Sequence, residues 1–191
     1  MDAATTEFCA NGYQGTTMAA IARRAGVAVQ TVYFVFNTKP ALLTATIDHA
    51  VMGDDNRPPQ EMPWWQESTT THDGQRALEL FAIHTARIEA RAAALDKVAQ
   101  AASLTDPDIR RLLARHETLR STGFAEYVEA LAGRGLLAPD CRPEEMTDVL
   151  LTLLGSDVYL ALTQTRGWPI DRYVSWATNT LATLFLRDVP P

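Results

Sequence analysis

The sequence predicts an all-α fold, and three observations predict it. Apolar residues recur at helical spacing along most of the chain, and no stretch alternates with the period of a strand. Start and stop signals frame those runs: threonines ahead of them, prolines in their first turns, Gly26 and Gly53 behind them. From Gln75 to about Leu104 the composition is dominated by Ala, Leu, Arg and Glu, all good helix formers. There is no internal repeat and no low-complexity tail.

The first helix is alanine-rich and reaches Phe8. Thr16 and Thr17 then stand as N-caps before Met18, Ile21, Ala22 and Ala25, which form one helical stripe. Gly26 falls where a left-handed residue ends a helix, and Val27 is expected to plug the gap between two helices. A second short helix follows from Ala28 to Phe34, with Val32 facing inward. Two helices joined by a tight glycine turn are the device that sets a second helix into the DNA major groove. Thr38 caps the next helix, Lys39 and Pro40 suit its first turn, and Leu42, Leu43, Ile47 and Val51 carry it to Met52.

Gly53 to Gly74 reads as one long irregular stretch, because Pro58, Pro59 and Pro63 forbid a continuous helix. It sets an expected boundary, with domains at 1–52 and 53–191. Beyond it, Leu78, Phe81, Ala82, Thr85, Ile88, Ala92 and Leu95 mark one helix face. Thr105 or Asp106 caps a restart at Pro107, and Ile109 to Leu131 continue the pattern. Gly133 to Cys141 is a turn. Pro143-Glu144-Glu145 opens a helix expected to run to about Thr165, and Arg166 to Pro169 break it. The last helix carries Tyr173, Val174, Trp176, Leu181, Leu184 and Phe185. Val149 to Leu162 is apolar on more than one face, which argues for a partner subunit.

The bulk numbers fit this reading. A chain of 191 residues holds one domain or a small one plus a larger one. No run approaches roughly 18 uninterrupted apolar residues, so no membrane span is expected. No secretion leader is seen, which points to the cytoplasm. Cys9 and Cys141 lie far apart and are expected to be reduced thiols. His49, His72, His84 and His116 share no ligand spacing, and no nucleophile or phosphate-loop motif is present, so neither metal, cofactor nor enzymatic chemistry is expected. The net charge is −6. Between Met1 and Ala50 the cations Arg23, Arg24 and Lys39 are cancelled by Asp2, Glu7 and Asp48. Contact with a polyanion would therefore lean on helix N-termini, backbone N–H groups and hydroxyls.

The stretch Gly12 to Leu43 resembles the DNA-binding domain of TetR-type transcriptional regulators. The matching residues are Ala4, Phe8, Gly12-Tyr13, Thr16-Thr17, Ile21-Ala22, Ala25-Gly26-Val27, Tyr33, Phe36, Lys39 and Leu42. They cover about the first quarter of the chain. The resemblance implies an N-terminal helix-turn-helix domain of three helices. It also implies a C-terminal helical domain that binds a small-molecule effector and dimerises through its last two helices. The family's basic arm has no counterpart between Met1 and Ala3, so either the start is clipped or the protein does without that arm. Phe34 and Val35 depart from the aromatic-histidine pair common in relatives, and Gln30 stands where glycine is frequent.

Candidate DNA contacts are Thr17, Ala28, Gln30, Thr31, Tyr33, Phe34 and Lys39. Gln30 can grip an adenine edge with two hydrogen bonds, and Thr31 can bond a phosphate or touch a thymine methyl. Phe34 can stack on sugars or a thymine methyl but cannot hydrogen-bond. Thr17 reaches a phosphate through the helix N-terminus, Tyr33 through its hydroxyl, and Lys39 through its ammonium. Candidate pocket residues are polar and aromatic groups on apolar helix faces, Phe81, His84, Ile88, Phe124, Tyr127 and Asp157, together with Trp64 and Trp65 of the 53–74 stretch, which either pin that stretch to the body or wall the cavity. Expected at the dimer interface are Val149, Leu153, Leu160, Trp176, Leu181 and Leu184. The expected function is a homodimeric regulator, a repressor, on a pseudo-palindromic double-stranded operator, released by an effector. The alternative is a helical sensor or enzyme that has lost DNA binding.

Overall fold

A computed structural model describes residues 1–187. They form ten α-helices: α1 (Asp2–Gly15), α2 (Met18–Ala25), α3 (Val29–Phe36), α4 (Lys39–Met52), α5 (Pro63–Thr70), α6 (Gly74–Ser103), α7 (Pro107–Gly133), α8 (Pro143–Leu153), α9 (Ser156–Leu160) and α10 (Ile170–Phe185). A 3-10 turn, Pro59–Glu61, precedes α5, and a π-helical turn, Ala161–Thr165, follows α9. Among the described residues the one β feature is an isolated antiparallel bridge between Leu137 and Leu186. The all-α expectation therefore holds.

The chain packs as two units. One joins residues 1–56 with 91–117, and the other joins 57–90 with the residues from 118 onward. The boundary expected at 52–53 follows the chain alone, whereas packing groups the end of α6 and the start of α7 with the first four helices.

In the first unit, α1 packs on α2 and α4, and α3 on α2 and α4. Phe8, Met18, Ile21, Val32, Leu42, Leu43 and Ile47 are buried between them. Helix α1 is interrupted at Gly12, whose φ of 66° and ψ of 176° suit a residue without a Cβ. Thr17 caps α2 by accepting the Ala20 N–H at 3.1 Å. Thr16, also expected as a cap, is instead fully buried, its hydroxyl 2.7 Å from the Gly12 carbonyl and 2.9 Å from that of Glu7. Gly26 ends α2 at φ 68°; its N–H donates to Arg23 and the Val27 N–H to Ala22, a Schellman closure. That closure turns Val27 outward: it is 45% exposed and does not plug the inter-helix gap. Val32 is the residue of α3 that fills it. Residues 91–117 dock by polar contacts. Arg91 donates to the Ala50 and Val51 carbonyls at the end of α4, His116 Nε2 lies 3.0 Å from Asp48, and the Tyr13 hydroxyl donates to Asp106 at 2.9 Å.

The second unit departs twice from expectation. The 53–74 stretch is not irregular throughout, because Pro63 opens a helix rather than forbidding one, as its missing N–H allows at a first turn. Trp64 and Trp65 thus sit on α5. The helix expected from Pro143 to Thr165 breaks at Leu154–Gly155. There the Arg120 guanidinium donates to the Leu151 carbonyl at 2.6 Å, taking the acceptor that the Gly155 N–H would use in a continuous helix. The Gly155 N–H turns to Thr152 instead, at 3.3 Å. Ser156 then donates to the buried Glu89 at 2.8 Å.

Candidate nucleic-acid interface and aromatic cluster

Helix α3 is short, apolar and turned outward. Phe34 is 92% exposed, with Val35 and Tyr33 more than half exposed beside it. Gln30, Thr31 and the N-cap Ala28 are exposed as well, and so is Thr17 at the start of α2. The structure thus brings Ala28, Gln30, Thr31, Tyr33 and Phe34 together on one helix, with only Val32 buried against the core. Phe34 lies four residues from Gln30 and three from Thr31, so the three share one helical face.

Lys39 is placed differently. Its ammonium donates to the carbonyls of Tyr13 at 2.8 Å and Thr16 at 3.1 Å, and it lies 4.3 Å from the Tyr13 ring centroid. Two of its three donors are therefore used inside the unit, leaving one for a phosphate. Burial lowers its pKa, with Asp106 pulling the other way. Arg24 is engaged too, its Nε 2.7 Å from Glu7. Asp106 is a residue whose role the sequence hides. Its carboxylate accepts the N–H groups of Asp108 and Ile109 as the cap of α7, and it also holds the Tyr13 hydroxyl. Burial raises its pKa, but the Tyr13 hydroxyl, the two backbone N–H groups and Lys39 outweigh that, and the net shift is downward. The cap was legible from Asp-Pro; the tyrosine, far upstream in sequence, was not.

In the second unit α5, α6 and α7 bring most of the expected pocket residues together. Trp64 stacks on His84, ring centroids 4.6 Å apart and planes 3° from parallel. Phe81 stacks on Tyr127 at 3.9 Å and meets Phe124 edge-on at 5.0 Å. Trp65 closes on Phe81 and Tyr127 at 5.9 and 6.3 Å. Ile88, one turn beyond His84, is half-buried, and Asp157 is exposed on α9, outside this cluster. Two polar groups mark the cluster. The Tyr127 hydroxyl is fully buried with no hydrogen-bond partner, and burial pushes its pKa above the usual phenol range. His84 is driven down to about 4 by burial first and by Arg87 second, against the pull of Glu67, so it is neutral at pH 7. Beside the cluster, Arg120 lies 5.2 Å from the Phe124 ring centroid. The Arg120, Glu89 and Ser156 contacts were missed in sequence, because nothing local pairs residues so far apart.

The expected interface residues divide. Leu184 is 55% exposed, while Val149, Leu153, Leu160 and Trp176 are half-buried. Leu181 is 0% exposed and packs in the unit's own core, so it has no surface to offer a second subunit. The segment Pro143–Thr165, though interrupted by Glu144, Glu145, Asp148 and Asp157, is apolar and long enough to span a bilayer by length and composition alone, and a third of its most apolar stretch is buried. The break at Leu154–Gly155 divides it into two helices. Cys9 and Cys141 are free thiols.

Residues 1–46 match the family model described as bacterial regulatory proteins, tetR family. No curated protein matches the chain by sequence. Among solved structures, a Mesorhizobium loti protein assigned to the TetR-family transcriptional regulators is 20% identical with a TM-score of 0.70, over 97% of this chain and 94% of its own. NalD, the secondary repressor of the MexAB-OprM multidrug efflux pump in Pseudomonas aeruginosa, is 19% identical with a TM-score of 0.68, over 98% and 94%. SmeT in complex with triclosan is 17% identical with a TM-score of 0.75, over 99% and 92%.

Proposed function

From an amino-terminal segment of the tetR family and a chain with the fold of its solved members, we propose a homodimeric repressor that binds a pseudo-palindromic operator and is released by a small-molecule effector. The observation that carries this reading is α3. It is an exposed helix held by a capped, glycine-closed turn, with Gln30 and Thr31 presented beside uncovered apolar side chains. A monomeric soluble surface has no use for such a face. Thr17, Ala28, Gln30, Thr31, Tyr33 and Phe34 form the DNA surface, and Lys39 offers one remaining donor to a phosphate.

Twofold pairing places two such helices about 34–36 Å apart, one DNA turn, so that each enters a major groove. The half-covered apolar face of α8 to α10, with Val149, Leu153, Leu160, Trp176 and Leu184, is the surface for the second copy. This covers the apolar run Pro143–Thr165 with protein rather than lipid. The effector site is the aromatic cluster, where the unpartnered Tyr127 hydroxyl waits for an acceptor. An effector that binds better to another helix separation weakens operator binding by typically 1–3 kcal/mol. The protein acts in the cytoplasm, binds and does not catalyse. NalD, a repressor, and SmeT, solved with a small molecule bound, support the analogy at the level of fold.

A second reading, a helical sensor without DNA binding, is favoured by the committed cations: Arg24 is held by Glu7 and Lys39 by backbone carbonyls. Selection of binding sites from a random duplex library separates the two. The regulator selects an inverted repeat, and Gln30→Ala relaxes one position per half-site, a discrimination worth about 1–3 kcal/mol. A chain that enriches no sequence is the sensor.

A further inference from the structure

We propose that Phe34 is a specificity determinant that reads the 5-methyl group of a thymine in each operator half-site. This rests on the DNA-binding reading of α3. Phe34 is 92% exposed, and its ring has no partner within the first unit that would explain an aromatic residue there. Gln30, Thr31 and Phe34 fall at positions i, i+1 and i+4 of α3, one face that is exposed along its length.

The surroundings say what covers this face. Between Glu7 and Asp48 the chain has no carboxylate, while Arg23, Arg24 and Lys39 lie within that interval. Arg24 is paired with Glu7 and Lys39 with backbone carbonyls, but Arg23 is exposed and α3 bears no carboxylate, so nothing on the face itself repels a polyanion. In the major groove the edges of guanine, cytosine and adenine offer only donors and acceptors, and thymine alone adds an apolar group. A phenyl ring set against a polar edge strips its water and returns no hydrogen bond. Set against a methyl, it loses nothing. Phe34 therefore selects thymine by attraction and disfavours the other bases by desolvation.

The register follows from the helix. Four residues rise about 6 Å along the axis, close to two base-pair steps of about 3.4 Å. The thymine is expected within about two base pairs of the base that Gln30 reads.

The test replaces single thymines of the selected operator by uracil, which lacks only the 5-methyl group. At one thymine per half-site, uracil weakens the native chain about four-fold, and roughly fifteen-fold when both half-sites carry it, as expected for one buried methyl each. Phe34→Ala binds the thymine and uracil operators equally and with the weakened affinity, while Phe34→Leu keeps part of the difference. Circular dichroism of Phe34→Ala, unchanged, excludes misfolding. Equal affinity of the native chain for every uracil-substituted operator overturns the inference and leaves DNA binding intact. Failure to select any sequence overturns the DNA-binding reading and this inference with it. A Phe34→Ala change in oligomeric state without a uracil effect assigns the ring to contacts between copies instead, and also overturns it.

Discussion

Helix α3 holds Tyr33 and Phe34 out in solvent, whereas α5, α6 and α7 close Trp65, Phe81, Phe124 and Tyr127 on one another. The two regions use the same residue types, yet their anomalies are opposite. In the second unit an aromatic ring needs no functional explanation, because burying it stabilises the fold by about 1.5–3 kcal/mol. What the fold leaves unexplained there, among the described residues, is three buried polar atoms without a partner, Arg134 Nε, Thr178 Oγ1 and the Tyr127 hydroxyl, of which the last lies in the aromatic cluster. In the first unit the polar side chains are explained by solvent or by hydrogen bonds within the unit, as for Thr16 and Lys39, and the uncovered ring is not. An exposed apolar patch and a buried unsatisfied polar group are the two observations that carry information about function. Both kinds occur here in different units: Phe34 uncovered on α3 in the first, and the unpaired Tyr127 hydroxyl inside the aromatic cluster of the second.

The sharpest way to break that comparison is to truncate one ring in each region. Phe81→Ala is expected to lower unfolding free energy by about 3–5 kcal/mol, the usual cost of a cavity at a fully buried aromatic. Phe34→Ala is expected to change it by less than about 0.5 kcal/mol. Urea unfolding followed by circular dichroism measures both. A Phe34 variant as unstable as the Phe81 variant would mean that α3 is part of a core and not a free face.

A charge on α10 extends the contrast to the proposed subunit interface. Leu184→Arg is expected to leave the fold intact and weaken dimerisation roughly a hundredfold, about 3 kcal/mol, since an unpaired charge cannot be buried cheaply. Leu181→Arg, three residues away but in the core, should unfold the chain. Light scattering and circular dichroism separate the two outcomes, and a clean dimer in the Leu184 variant would remove α10 from the interface.

Lys39 tests how much of the DNA face is charge. Lys39→Met keeps the stem and removes two hydrogen bonds to backbone carbonyls. It is expected to cost about 1–2 kcal/mol of stability and, through the one donor left for a phosphate, to reduce the salt slope of operator binding by roughly 0.9 per subunit. An unchanged slope would show the ammonium wholly engaged by the Tyr13 and Thr16 carbonyls and absent from the phosphates.

Legibility in the sequence follows the range of the interactions. The helix-turn-helix was readable because its punctuation is local: Thr17 and Thr38 accept N–H groups three residues on, and Gly26 supplies the left-handed residue of a Schellman closure. Phe81, His84, Phe124 and Tyr127 were readable as residue types on apolar helix faces, whereas Trp64 and Trp65 read as part of an irregular stretch and stand on α5. The break at Gly155 was not, because Arg120, on another helix, takes the carbonyl that a continuous helix needs. Nor was the inward turn of Lys39, since a lysine at a helix start looks the same whether it faces a phosphate or two backbone carbonyls. Val27 failed for a related reason: its N–H completes the closure of α2, and that geometry carries the side chain outward.

The smallest expected effect concerns His84, the imidazole of the aromatic cluster. Burial and the nearby Arg87, opposed by Glu67, lower it to about 4 in the folded chain, against about 6.5 when free. The folded chain therefore favours the neutral ring, and the unfolded chain takes up a proton first as pH falls. This contribution to stability is fully present above about pH 6.5 and is lost progressively down to about pH 4. The effect is modest, because the ring is only partly buried and solvent screens it. His84→Phe retains a flat ring against Trp64 and removes the titration, so its unfolding midpoint should fall less than that of the native chain between pH 7 and pH 5. Parallel curves for the two proteins would show that His84 is freely hydrated and that its stack on Trp64 does not close the cluster to water.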